Sequence, residues 1–235
     1  MIGLVVTCEH AAWALPPGVD LGVDAAALRG QASWDHGALA IATAIGEALG
    51  ARVHAGRYSR MWVDLNRPAD HPDVIPPVSY GQPVPGNAAL TAAQRAARMA
   101  ADHAPYWAAV EAEVRARLAT HGACLHFSSH SFDPSLDPVN RTYPLGVLYD
   151  PTHAFEASLA EPLLAGLRAA GFDARANQPY TGVGPAVCTA LRERLAGARY
   201  AGIELETSHA VTTTPDGCAR VAAAVAPILA RLLAG

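Results

Sequence analysis

Lysine is missing from this chain: all 17 of its basic residues are arginines, and they form no cluster. Against 21 acidic residues they leave a formal net charge of −4 and a pI of about 6.2. There is thus no basic stripe of the kind that grips nucleic acid or an anionic membrane surface. Cysteine is sparse too: the four, at 8, 124, 188 and 218, form no CxxC pair, which removes the zinc-ribbon and dithiol redox readings and leaves buried, reduced thiols as the expectation. No stretch approaches about 18 apolar residues free of charge. The opening MIGLVVTCEH has neither a basic leader nor a small-residue cleavage site, so the expected compartment is the cytoplasm. What is present is a chain of 235 residues, 51% hydrophobic with a mean hydropathy of +0.14 and rich in alanine. That is enough for one globular domain, residues 1–235, with a full core. The expected partner is a small, weakly charged molecule.

Apolar patterning alternates along the chain. IGLVVTC is a continuous run with branched residues, as expected of a strand buried on both faces, and it stops at Glu9-His10. From Trp34 to Leu49 apolar residues recur at helical spacing, closed by Gly50. ARVHAGRYSR and MWVDLNRP read as a strand and a second strand-like run. Residues 68–87 carry repeated prolines and read as a long surface loop, the rim of a site rather than a linker. Ala89 to Thr120 is helical up to His121-Gly122. ACLHF and PLGVLYD are strands, EASLAEPLLAGLRAAG is a helix, Thr189 to Ala196 is helical, YAGIELE is a strand, and PDGCARVAAAVAPILARLLAG is a C-terminal helix. Strands alternating with helices predict an α/β sheet covered on both faces.

Four strand ends are unusually polar: Glu9-His10, Asn66-Arg67, Ser129-His130, and Glu204 with Glu206. Open α/β sheets bind ligands beyond the carboxyl ends of their strands, so parallel strands would bring these groups to one edge. Imidazole, carboxylate and guanidinium together suit a mononuclear metal hydrolase, in which histidine and carboxylate hold the metal, water takes an open position, and a further carboxylate is the general base.

The pieces TCEHA, WDHGA, YSRMWVDLNRP, PGN, HSFDP, NQPY and IELE, in this order over roughly residues 5 to 210, resemble the N-formylglutamate amidohydrolase family. The resemblance implies a three-layer α/β/α fold with a mixed, mostly parallel sheet of eight strands, of the phosphorylase/hydrolase-like, zinc-exopeptidase-like kind shared with zinc carboxypeptidases and the aspartoacylase group. It implies metal-dependent hydrolysis of a carbon–nitrogen bond in an N-acyl amino acid such as N-formyl-L-glutamate. Zinc is the expected metal, with manganese, cobalt and iron compatible with the same ligands.

Matched motif by motif, His10 and His130 are the metal histidines. Asp35 is the favoured third ligand, with Glu9 as the alternative. Peptidases of this architecture have a glutamate three residues after the first histidine, where this chain has Trp13. The resemblance makes Glu206 the first choice of base and Glu204 the second; the two share a face if the segment is a strand. Arg60 matches the residue that polarises the scissile carbonyl. Arg67, aided by Asn66, matches the residue that grips a substrate carboxylate with paired hydrogen bonds. Arg141 is placed for a second carboxylate, and Asn177 and Tyr180 for the pocket wall. The implied partner is a small molecule carrying a carboxylate, with neither nucleic acid nor membrane; oligomeric state is unreadable.

Competing readings make His130 a core histidine satisfied by Ser129 or Ser131, each arginine a surface ion pair, and Cys8 with His10 a thiol nucleophile. Others keep the same pocket but give it a guanidino, amidino or peptide substrate, or make the chain a silent protein that binds a metal or an acidic metabolite.

Overall fold

The first apolar run becomes strand β1 (Gly3–Cys8), buried along its whole length. The computed structural model describes residues 1–135 and 141–235. Within them β1 joins β2 (Val53–Ala55), β5 (Cys124–Phe132), β6 (Leu145–Leu148), β7 (Ala174–Ala176) and β8 (Tyr200–Ser208) in one sheet of order β2-β1-β5-β8-β6-β7. The four strands β2, β1, β5 and β8 are mutually parallel; β6 pairs antiparallel with β8 and parallel with β7. The sheet is mixed and mostly parallel as expected, but six-stranded among the described residues rather than eight. A separate two-stranded hairpin, β3 (Val78–Ser79) with β4 (Gln82–Pro83), stands apart from it.

Helices cover both faces. On one side α2 (Ala38–Leu49), α6 (Ala154–Ala169) and α9 (Pro215–Ala234) pack against Leu4, Val6, Leu125, Phe127, Ile203 and Leu205. On the other, α5 (Ala104–His121) and α7 (Val187–Arg194) pack against Val5, Cys124 and Tyr200. Each fully buried aliphatic or aromatic side chain contributes roughly 1.5–3 kcal/mol by removal from water. The period of two in a strand sends Leu4, Val6 and Cys8 to the first face and Thr7 and Glu9 to the second. The same rule puts His126, Ser128 and His130 of β5, and Glu204 and Glu206 of β8, on the α5/α7 side. The polar residues collect towards the carboxyl ends of these strands, where Tyr106 of α5 donates its hydroxyl to Glu9. By length and composition α9 is long and apolar enough to cross a membrane, more so than the sequence reading allowed. Its apolar stripe, Cys218 to Leu229, instead packs on α2 and α6.

The remaining helices are short: α1 (Ala25–Arg29), α3 (Pro85–Ala88), α4 (Ala92–Arg98) and α8 (His209–Thr212). A π-helical turn, Met99–His103, joins α4 to α5 just before Pro105, whose missing N–H interrupts the regular bonding.

Three sequence expectations change. The helix expected from Trp34 begins only at Ala38, because Gly37, at φ +71, turns the chain where a Cβ would lie 2.7 Å from Thr212. MWVDLNRP is not a strand: Asp64 Oδ1 accepts from the backbone N–H of Asn66 at 2.9 Å, and Asp64 N–H donates to the carbonyl of Val74, giving turns in place of a ladder. Finally, β5 does not end at Phe127. It continues through Ser128, Ser129, His130 and Ser131, paired residue for residue with β8 as far as Ser208. His130 therefore lies within a strand, not at its mouth.

Candidate active site

The site begins where β1 ends. The turn at Glu9-His10 fits closely over β2, since a Cβ on Gly56 would sit 2.0 Å from the Glu9 carbonyl oxygen. The turn breaks the alternation, so Glu9 and His10 can both approach the same histidine from different sides. The carbonyl of His10 accepts from Asp35 N–H at 2.9 Å, and Ser33 accepts at its carbonyl from Arg60 N–H at 3.0 Å. Two hydrogen bonds thus draw the segments carrying Asp35 and Arg60 onto the end of β1.

At the centre lies Asp35, 1% exposed. Its carboxylate accepts from Arg60 Nη2, from Ser131 N–H at 3.2 Å and from His130 Nδ1 at 2.8 Å, with His10 Nδ1 3.5 Å away. One ligand atom from each of His10, Asp35 and His130 lies within 4.8 Å of the others. Asp64 Oδ1 is 2.7 Å from His10 Nε2. Glu9 does not join the three: it lies at the far edge of His130, Oε2 3.2 Å from Nε2, and also accepts from Ser128 and Tyr106. Asp35, rather than Glu9, is the acid placed beside both histidines.

These residues form one wall of a cavity of about 570 Å³. Arg60, Asn66, Arg67, Asn177, Tyr180, Glu204 and Glu206 also line it. Asn66 is anchored by the N–H of Val187 at 3.0 Å and turns its amide nitrogen towards Glu204 Oε2, 3.5 Å away. Arg67 reaches the rim, 38% exposed, and donates to the carbonyl of Pro185. Tyr180 shares a 3.3 Å hydroxyl contact with Tyr80. Asn177 is a structural joint: at φ +50 its side chain accepts from the N–H groups of Tyr149 and Gly182. Arg141 is buried outside this wall, against the Tyr180 ring and hydroxyl.

Burial sets the electrostatics. It pushes Glu206 up from 4.5 to about 8, reinforced by the charges of Asp35 and Glu204 and opposed by His130. Glu206 Oε2 is buried with no hydrogen-bond partner. Glu204 is raised as well, chiefly by burial. Asp35 is held well below the carboxylate range although burial pushes the other way, because Arg60, His10 and His130 outweigh it. Burial likewise works against a charged His130, and Asp35 and Glu9 overcome it and raise its pKa. The five buried carboxylates Glu9, Asp35, Asp64, Glu204 and Glu206 exceed the buried basic groups beside them. His10 Nδ1, aimed at Asp35, has no hydrogen-bond partner. A buried unpaired acceptor, converging hard and borderline donors and an excess of negative charge are what a divalent transition ion requires, so the residues fit one.

Asp64 and Tyr80 belong to this site and escaped the sequence reading. Asp64 sits inside VDLNR, two residues before Asn66, and was hidden by the strand reading of that segment. Tyr80 lies at the tip of the β3–β4 turn, φ +47, with its hydroxyl 3.2 Å from Arg60 Nη1; nothing in the proline-rich segment marks it out. The thiol reading fails: Cys8 points into the core against α2, and burial raises its pKa well above the ordinary thiol value.

A three-layer α/β fold with a histidine–carboxylate pocket beyond parallel strand ends defines a hydrolase-type protein with a candidate metal centre. The chain belongs to the N-formylglutamate amidohydrolase family, whose model matches residues 2–211. Its structure is similar to that of the gene product Atu2144 from Agrobacterium tumefaciens, with TM-score 0.87 and 29% identity over 98% of this chain and 90% of that one. It shares its fold with N-formylglutamate amidohydrolase from Ralstonia eutropha JMP134, with TM-score 0.76 and 20% identity over 99% and 93% of the two chains. No curated protein matches the sequence.

Proposed function

We propose that this protein hydrolyses the amide bond of an N-acyl amino acid bearing a carboxylate, N-formyl-L-glutamate being the first candidate, to the free amino acid and the acid. The observation that carries the reading is the convergence of His10, Asp35 and His130 within 4.8 Å beside a buried, unpartnered Glu206. His10, Asp35 and His130 would hold one divalent ion, zinc first, which supplies Lewis-acid polarisation and an acidified water when bound.

Everything else follows from the chain's own groups. Arg67 at the rim takes the substrate carboxylate in a two-pronged hydrogen bond, with Asn66 beside it. Arg60, buried and always charged, is the group assigned to the negative charge that develops on the scissile carbonyl oxygen. Glu206 takes the proton of the attacking water and returns it to the leaving nitrogen. Burial raises the proton affinity of the Glu206 carboxyl above that of an ordinary carboxylate, which favours a group that must both take and return a proton. Glu204, held by Asn66, keeps the second position beside His130.

The test is formate release from N-formyl-L-glutamate by zinc-loaded protein, against N-formyl-L-leucine, which lacks the second carboxylate. Release that a chelator abolishes, and that favours the glutamate, supports the reading. Release untouched by complete metal removal contradicts it.

A further inference from the structure

His10 and His130 are held by the same device. His10 turns Nδ1 towards Asp35 and rests Nε2 2.7 Å from Asp64. His130 turns Nδ1 to Asp35 at 2.8 Å and rests Nε2 3.2 Å from Glu9 and 3.0 Å from Ser128 Oγ. Ser128 has one proton and gives it to Glu9 at 2.6 Å, so its oxygen is free to accept from His130 Nε2–H. The other oxygen of Glu9 accepts from Tyr106 at 2.9 Å. Both carboxylate oxygens are thereby fixed, one from α5 and one from β5.

Glu9 is 1% exposed, and among the described residues no arginine pairs with it. A buried carboxylate without a fixed cation is costly, and retaining one calls for a partner that needs it. Strand periodicity accounts for its place: Thr7 and Glu9 face α5 alongside Ser128 and His130 of the neighbouring strand. Histidines that bind metals through one ring nitrogen usually donate the other to a carboxylate, which sets the tautomer and the ring angle.

We infer that Glu9 is a positioning residue: it accepts from His130 Nε2–H and so leaves Nδ1, turned to Asp35, as the nitrogen for the metal, the counterpart of Asp64 on His10. This rests on the metal-site reading above. Glu9 contacts neither substrate nor reacting atoms; it acts through His130.

The test is zinc titration of the full chain, wild type against Glu9→Gln and Tyr106→Phe, with long-range proton–nitrogen correlation of the histidine rings in the zinc-loaded proteins. Glu9→Gln is expected to weaken zinc binding about 10- to 100-fold and to remove the single Nε2–H pattern of His130. Tyr106→Phe, which frees one oxygen of Glu9, weakens binding severalfold. Wild type that binds zinc, with Glu9→Gln equal in both affinity and tautomer, overturns the role of Glu9 and leaves the metal site standing. Wild type that binds no zinc overturns both. Should Glu9→Gln fail to fold, Tyr106→Phe decides: weakened binding supports the role, and unchanged binding overturns it.

Discussion

Replacing Glu206 by glutamine should make the metal-free protein more stable and the enzyme nearly dead. Burial moves the Glu206 carboxyl from 4.5 to about 8. A group whose pKa is raised on folding lends stability below its unfolded value, and that contribution is lost as pH rises through the folded value. At about 1.4 kcal/mol per pH unit, the displacement from 4.5 to 8 is on the order of 5 kcal/mol, withdrawn between about pH 4.5 and 8. Glutamine copies the protonated carboxyl and cannot ionise, so Glu206→Gln escapes the loss. At pH 5 the two metal-free proteins should unfold at about the same urea concentration. At pH 9 the variant's midpoint should lie higher by more than about 1 M, given roughly 3 kcal/mol per molar for a chain of this size. Comparing the pair cancels the titration of the other buried groups to first order. Turnover by the metal-loaded variant should fall about 10²- to 10⁴-fold, the usual worth of a general base. A wild-type midpoint that runs parallel to that of Glu206→Gln from pH 5 to 9 would refute the electrostatic argument, and full turnover by the variant would refute the assignment of the base.

Other consequences are as specific. Arg67→Lys keeps the charge but loses the planar fork, so KM for a carboxylate substrate should rise about 10- to 100-fold with kcat little changed, the worth of one to two charged hydrogen bonds; an unchanged KM assigns the carboxylate elsewhere. Cys8→Ala should leave kcat intact and activity insensitive to iodoacetamide, while costing about 1 kcal/mol in urea unfolding through the lost packing of a fully buried side chain. Loss of activity on alkylation of wild type but not of Cys8→Ala would revive the thiol reading.

The fold was legible where burial and periodicity agree. GLVVTC, the β8 run and the C-terminal helix have one solution each, and the polar residues at the strand ends marked the edge where the cavity lies. His10, Asp35 and His130, far apart in sequence, meet because β1 and β5 are parallel neighbours and because Asp35 N–H binds the His10 carbonyl. What stayed hidden depended on tertiary contacts. The extension of β5 through SSHSF looks polar enough to end a strand, yet Ser129 donates to the carbonyl of Ala38 and Ser128 to Glu9, so the segment stays buried and paired. Asp64 and Asn66 stabilise turns where propensity favoured extended chain. The place of His10 beside His130 depends on the turn at the end of β1, which strand alternation does not foretell. Arg141, read from its place after HSFDP as a ligand for a second carboxylate, rests against Tyr180 of the cavity wall and does not itself line the cavity.

The central claim is that His10, Asp35 and His130 together hold a metal ion. Elemental analysis of wild type and His130→Ala, purified side by side, tests it most directly. Close to one divalent transition metal per wild-type chain, and almost none in the variant, is the expected result. Equal metal in both, or no uptake by wild type supplied with zinc, manganese or cobalt, would contradict it.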